Sequence, residues 1–180
     1  MLNIEKTTLP SDALLNIYNI NGCHTDCYTT DIKFEVSFEE FVKAFYSTSL
    51  FKLERFILKW TVAKPSTDNQ LDELLNSDSN QFAAWTVEKR AENQLLMCDF
   101  QQRTRSWFMV TSKSKSNASI TQLYFGSAVV PKQSQVSKHG KPQLGFLFTA
   151  LLGFHKLYSI LLLLSAKKKL LSSVQTSKGL

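Results

Sequence analysis

Apolar positions change their period along the chain, and each change marks an element. Residues 24–34 are rich in Thr and Tyr and read as a first strand. Ser37-Phe38-Glu39-Glu40 then has the spacing of a capping box. After it, Phe38, Phe41, Val42, Phe45 and Tyr46 recur at helical intervals and predict an amphipathic helix. Ser47-Thr48-Ser49 interrupts the pattern. Leu50, Leu53, Ile57 and Trp60 resume it as a second helix, which Pro65 stops. Ser66-Thr67-Asp68 caps a short third helix carrying Leu71, Leu74 and Leu75.

From residue 82 the period falls to two. Four antiparallel strands are predicted near 82–90, 94–100, 103–112 and 119–130, with polar turns between them. Residues 131–143 hold two prolines and a glycine and read as a linker. A long, almost wholly apolar helix follows over 144–171, and the chain is expected to fray after Ser172. This order predicts an α+β fold with an antiparallel sheet. The implied organisation is an N-terminal segment over 1–22, one domain over 23–171 and a tail over 172–180.

Alternation sorts the strand residues onto two faces. The first face takes Phe82, Ala84, Thr86, Glu88, Arg90, Leu95, Met97, Asp99, Thr104, Ser106, Phe108, Val110, Leu123, Phe125, Ser127 and Val129. The second takes Ala83, Trp85, Val87, Leu96, Cys98, Phe100, Arg103, Arg105, Trp107, Met109, Tyr124, Gly126 and Ala128. Trp107 falls opposite Gly126, where a missing side chain leaves room for an indole. Both faces are too apolar for a sheet with one wet side, so each needs a cover, from this chain or from a second subunit. A polar band of Thr86, Glu88, Asp99, Thr104, Ser106 and Ser127 crosses the first face. An apolar field with a few placed polar groups is the composition of a ligand pocket.

The element order resembles the helix-grip fold of the START-like and polyketide-cyclase (SRPBCC) superfamily. The stretches FVKAFYSTSLFKLERFILKW (41–60), FAAWTVEKR (82–90), LLMCDFQQRTRSW (95–107), LYFGSAVVP (123–131) and LLGFHKLYS (151–159) are similar to an uncharacterised bacterial domain family placed in that superfamily. The resemblance implies an antiparallel sheet wrapped around the long C-terminal helix, with a hydrophobic cavity between them. Fewer strands precede the last helix here than in the usual superfamily plan.

Composition narrows the chemistry. Hydrophobic residues make up 43% of the chain and there are 13 Phe, which is globular composition. The net charge of +6 is uneven: residues 131–180 carry eight lysines and no acidic residue. The remainder lacks the basic footprint of a nucleic-acid binder, and the basic end suggests a solvated run or contact with an anionic membrane surface. Cys23, Cys27 and Cys98 are too few and too odd for a disulfide scaffold, which suits a reducing, cytoplasmic setting. The first residues do not have the pattern of a secretory signal.

Cys23-His24-Thr25-Asp26-Cys27 is dense in metal-capable groups, but a strand would divide them between two faces, so no metal and no cofactor are expected. His155 and Asp99 are the candidates for acid–base chemistry. A Ser127 or Ser106, His155, Asp99 triad can be drawn, but no nucleophile elbow surrounds either serine. Asp99 is also placed to pin its turn through Arg103 or Arg105.

The stretch 144–166 is long enough to span a bilayer and is followed by Lys167-Lys168-Lys169. His155 and Lys156 at its centre oppose insertion, and the apolar sheet offers it a partner instead. The function expected is therefore a binding module for a small apolar or amphipathic molecule. Glu88, Met97, Ser106, Phe108, Phe125, Ser127, Leu151 and Tyr158 are the expected contacts. The alternatives are a cyclase- or dehydratase-like enzyme on the same fold, a membrane-attached protein, and a homodimer formed through the second sheet face.

Overall fold

The computed structural model describes residues 3–52, 68–115, 118–130 and 146–177. It is an α+β protein built on a seven-stranded antiparallel sheet. The strands are β1 (Glu5–Lys6), β2 (His24–Ile32), β3 (Gln81–Phe82), β4 (Trp85–Ala91), β5 (Gln94–Asp99), β6 (Thr104–Lys115) and β7 (Ala118–Val129). Their spatial order is β1-β2-β7-β6-β5-β4-β3, so the first long strand lies beside the last. The helices among the described residues include α1 (Asn16–Ile20), α2 (Phe38–Tyr46), α3 (Asp68–Leu75) and α4 (Phe146–Ser177).

The capping box forms as its residues dictate. Ser37 Oγ accepts from Glu40 N at 3.1 Å, and the Glu40 carboxylate accepts from Ser37 N at 2.8 Å. Phe41, Val42 and Phe45 are thereby turned onto the first sheet face. Thr48 opens the next helical turn, its hydroxyl accepting from Phe51 N at 3.2 Å. The rest of that predicted helix, with Leu53, Ile57 and Trp60, lies outside the described residues, as does the predicted linker. Leu71 and Leu74 bury the inner side of α3, and Lys43 of α2 meets Asp72 of α3 at 2.6 Å.

The predicted register holds through the centre of the sheet. Met97 pairs Ser106, Phe108 pairs Phe125, and Trp107 pairs Gly126. A Cβ on Gly126 would meet the Trp107 ring at 2.9 Å, the Asp26 carbonyl oxygen at 3.0 Å and Leu15 Cδ2 at 3.0 Å. The missing side chain is what lets the indole approach the strand so closely.

Strand 82–90 departs from expectation. Phe82 pairs Trp85 across a two-residue turn in which Ala83 has φ 52°, so the stretch is two strands. That turn reverses the alternation. Trp85 and Val87 lie on the first face, paired with Asp99 and Met97, while Thr86 pairs Cys98 on the second. A bulge between Val87 and Lys89 then restores the original phase, and Arg90 pairs Leu95. The sequence placement of Thr86 and Glu88 on the first face is thus corrected.

The first face carries the main core, closed by α2, α3 and α4. The second face is covered by the chain's own N-terminal segment. Ala13 and Leu15 pack with Cys27, Leu96, Trp107, Met109 and Ala128. Gln94 fastens the segment: its Oε1 accepts from Leu14 N and from Trp107 Nε1, each at 2.9 Å, and its Nε2 donates to Asp12 O at 3.1 Å.

Helix α4 runs to Ser177 and does not fray at Ser172. Among its described side chains, Ser159, Leu162, Leu163, Ala166, Lys167 and Leu170 are buried in one helical stripe. Leu157 and Leu161 are exposed on another side of the helix. The lysine run divides as well: Lys168 and Lys169 are exposed and Lys167 is buried. Among the described residues no helix is long and apolar enough to cross a membrane.

Candidate functional site

Aromatic rings fill most of the space between the first face and the helices. Phe45 stacks edge-on to Phe108 at 4.8 Å and lies 4.7 Å from Phe125, and Tyr46 lies 4.9 Å from Phe82. A cavity of about 160 Å³ remains beside them. Its apolar wall includes Phe45, Phe51, Trp85, Phe108, Phe125 and Leu162, and its polar groups come from Thr104, Ser106, Tyr158 and Ser159.

Four residues expected from sequence line this cavity: Ser106, Phe108, Phe125 and Tyr158. They meet because β6 and β7 pair in the expected register and because α4 crosses above them. Met97 is fully buried in the same core and does not line the cavity. Ser127 is on the correct face of β7, two residues beyond Phe125, where its hydroxyl donates to Asp26 Oδ1 at 2.6 Å. The side chains of Leu151 and His155 lie outside the described residues.

Glu88 is not a contact of this cavity. The β4 turn carries it to the second face, where its carboxylate accepts from Arg105 Nε at 2.5 Å and from the Tyr18 hydroxyl. Arg105 also lies over the Tyr18 ring, 4.9 Å from its centroid, and donates to the Tyr18 oxygen at 2.8 Å. Burial, with the bond to Glu88 adding to it, pushes the Tyr18 phenol up to about 12. The cluster straps α1 to the sheet.

Asp99 is occupied by its own turn. Its Oδ1 accepts from Arg103 N at 2.6 Å and from Thr104 N at 3.0 Å. The turn is pinned through backbone amides, and Arg105 takes Glu88 as its partner instead of Asp99.

Three features of the site were not found from sequence. Trp85 reaches the cavity only because Ala83 turns the chain, and no Gly, Asn or Pro announces that turn. Its indole Nε1 is buried with no acceptor among the described residues. Ser159 faces inward from a helix whose apolar residues hide its orientation. The polar band also extends onto β2, where Asp26 pairs Ser127 and His24 follows on the same face. Alternation placed His24 and Asp26 together, but nothing local placed β2 beside β7. Asp26 is 4% exposed, and its Oδ2 has no partner among the described residues. Cys27 points to the opposite face, and no group of three metal-capable side chains forms among the described residues.

No family model, curated protein or solved structure matches the chain.

Proposed function

We propose that the protein is a helix-grip-type binding module holding a small, largely apolar molecule between the first sheet face and α4. The observation that carries this reading is the pairing of an aromatic cavity with a buried donor, Trp85 Nε1, that has no acceptor among the described residues. A buried N–H without an acceptor costs about 1–3 kcal/mol, and a bound acceptor recovers it. The ligand is therefore a compact ring or short chain with one carbonyl or ether oxygen. A cavity of about 160 Å³ is below the usual range for larger ligands, roughly 300–1,000 Å³. The hydroxyls of Thr104 and Ser106 offer it further polar contacts.

Cyclohexanone and methylcyclohexane test the proposal, being similar in size and differing in the acceptor. The ketone is expected to raise the melting temperature more than the hydrocarbon and to shift the Trp85 indole N–H resonance downfield. Trp85→Phe should abolish the preference for the ketone. If neither molecule raises the melting temperature, the cavity is not a binding site. Equal effects with an unmoved indole resonance would overturn the acceptor assignment.

A further inference from the structure

The basic run after the apolar helix is divided by folding, and one of its lysines is buried in a largely apolar stripe. Lys168 and Lys169 are exposed, and Lys169 donates to Ser47 O at 3.0 Å. Lys167 is 5% exposed and occupies the sheet-facing stripe otherwise made by Leu162, Leu163, Ala166 and Leu170. A leucine there would bury without losing the hydration an ammonium gives up. The Lys167 Nζ donates to Thr30 Oγ1 at 2.7 Å, and that hydroxyl donates on to Asn3 O at 2.6 Å. Lys167 lies in the wall of a cleft of about 550 Å³ at the β1–β2 edge of the sheet. Asn3, Glu5, Thr30, Asp31 and Gln122 share that wall.

We propose that this cleft binds an aldehyde or ketone and holds it as an imine on Lys167 Nζ. The neutral amine's lone pair attacks the carbonyl carbon, a C–N bond forms, and the carbonyl oxygen takes up a proton. The resulting carbinolamine loses that oxygen as water and gives up the remaining amine proton as the C=N bond closes. Amine and carbonyl thus become imine and water, with no change of oxidation state. The Asp31 and Glu5 carboxylates also line the cleft, on the opposite side of β2 from Thr30 and Lys167, so the proton passes from nitrogen to oxygen through solvent. Their charges offset those of Lys167 and Lys33, which favours a neutral carbonyl over a simple anion. Burial lowers the Lys167 pKa, with Asp31 opposing it, so more of this amine is neutral than of a solvated lysine. The site is separate from the aromatic cavity and stands or falls independently of it.

The test is reductive alkylation of the full chain with limiting propanal and cyanoborohydride at pH 6.5, followed by peptide mapping. An ordinary lysine is almost wholly protonated there, and each unit of lowered pKa raises the neutral fraction about tenfold. The expected result is propylation of Lys167 well ahead of Lys168 and Lys169 in the folded protein, and loss of this selectivity in urea. Lys167→Arg should leave no fast lysine, the α-amino group remaining reactive in both proteins. Should that variant fail to fold, the native map against the urea map still decides. Labelling of Lys167 at or below the rate of Lys168 in the folded protein would overturn the assignment.

Discussion

At the scale of single residues, what a side chain does follows from which face of the sheet it occupies. Gly126 shows how tightly this is set. Its absent Cβ is replaced by the Trp107 ring, and a methyl group would press on that ring and on the Asp26 backbone oxygen. Gly126→Ala is expected to cost about 1–3 kcal/mol, the range for overpacking a filled core. A urea titration followed by Trp fluorescence would measure it, and a cost near zero would show that the indole can shift freely. This contact was legible from sequence because strands β6 and β7 pair without a bulge between Thr104–Val129 and Lys115–Ala118. Glu88 was not legible. Its side chain turns on a hairpin and a bulge that together span the residues from Phe82 to Lys89.

At the scale of elements, amphipathic spacing located α2 and α3, and alternation located β5, β6 and β7. Both signals are local. The β3–β4 hairpin carries no such signal, since Ala83 adopts a left-handed conformation that sequence rules reserve for Gly or Asn. That strain gives a prediction. Ala83→Gly should stabilise the protein by up to about 1 kcal/mol, because the left-handed penalty of an L-residue exceeds the entropy cost of glycine. A rise in the urea midpoint at constant slope would confirm it, and a fall would mean that Ala83 contributes through packing. The candidate cavity was half legible for the same reason. Ser106, Phe108 and Phe125 lie on regular strands, whereas Trp85 depends on the turn. The place of His24 and Asp26 depends on a strand pairing more than 100 residues apart in sequence, between Asp26 and Ser127.

At the scale of the whole molecule, the sheet is covered on both faces by one chain, and ionisable groups on β2 are sealed beneath the covers. Burial, with the neighbouring Asp26 charge adding to it, pushes the Cys27 thiol from an ordinary 9.0 up to about 12. The same two causes, followed by Cys27, push the Tyr28 phenol from 10.0 up to about 12. The folded state therefore keeps protons that the unfolded chain releases. Stability from these groups is fully present below about pH 9 and is lost as the pH climbs toward 12. Lys167 acts with the opposite sign. Its lowered pKa makes the unfolded chain the better proton binder below the ordinary 10.5, so its penalty is relieved as pH rises through that window. Burial also raises Cys98, Tyr18 and Tyr124, so one lysine opposes several thiols and phenols, and each group contributes a slope of at most about 1.4 kcal/mol per pH unit. The net expectation is a fall in unfolding free energy beginning near pH 9 and steepening above pH 10, where the phenols join and the lysine stops compensating. Urea unfolding between pH 8 and pH 11 measures it. Cys27→Ala should lessen the first part of the fall, which Cys98 shares, and leave the second. An unchanged profile would mean that the thiol reaches solvent before the sheet opens, and so that the N-terminal cover over Cys27 lifts independently of the core.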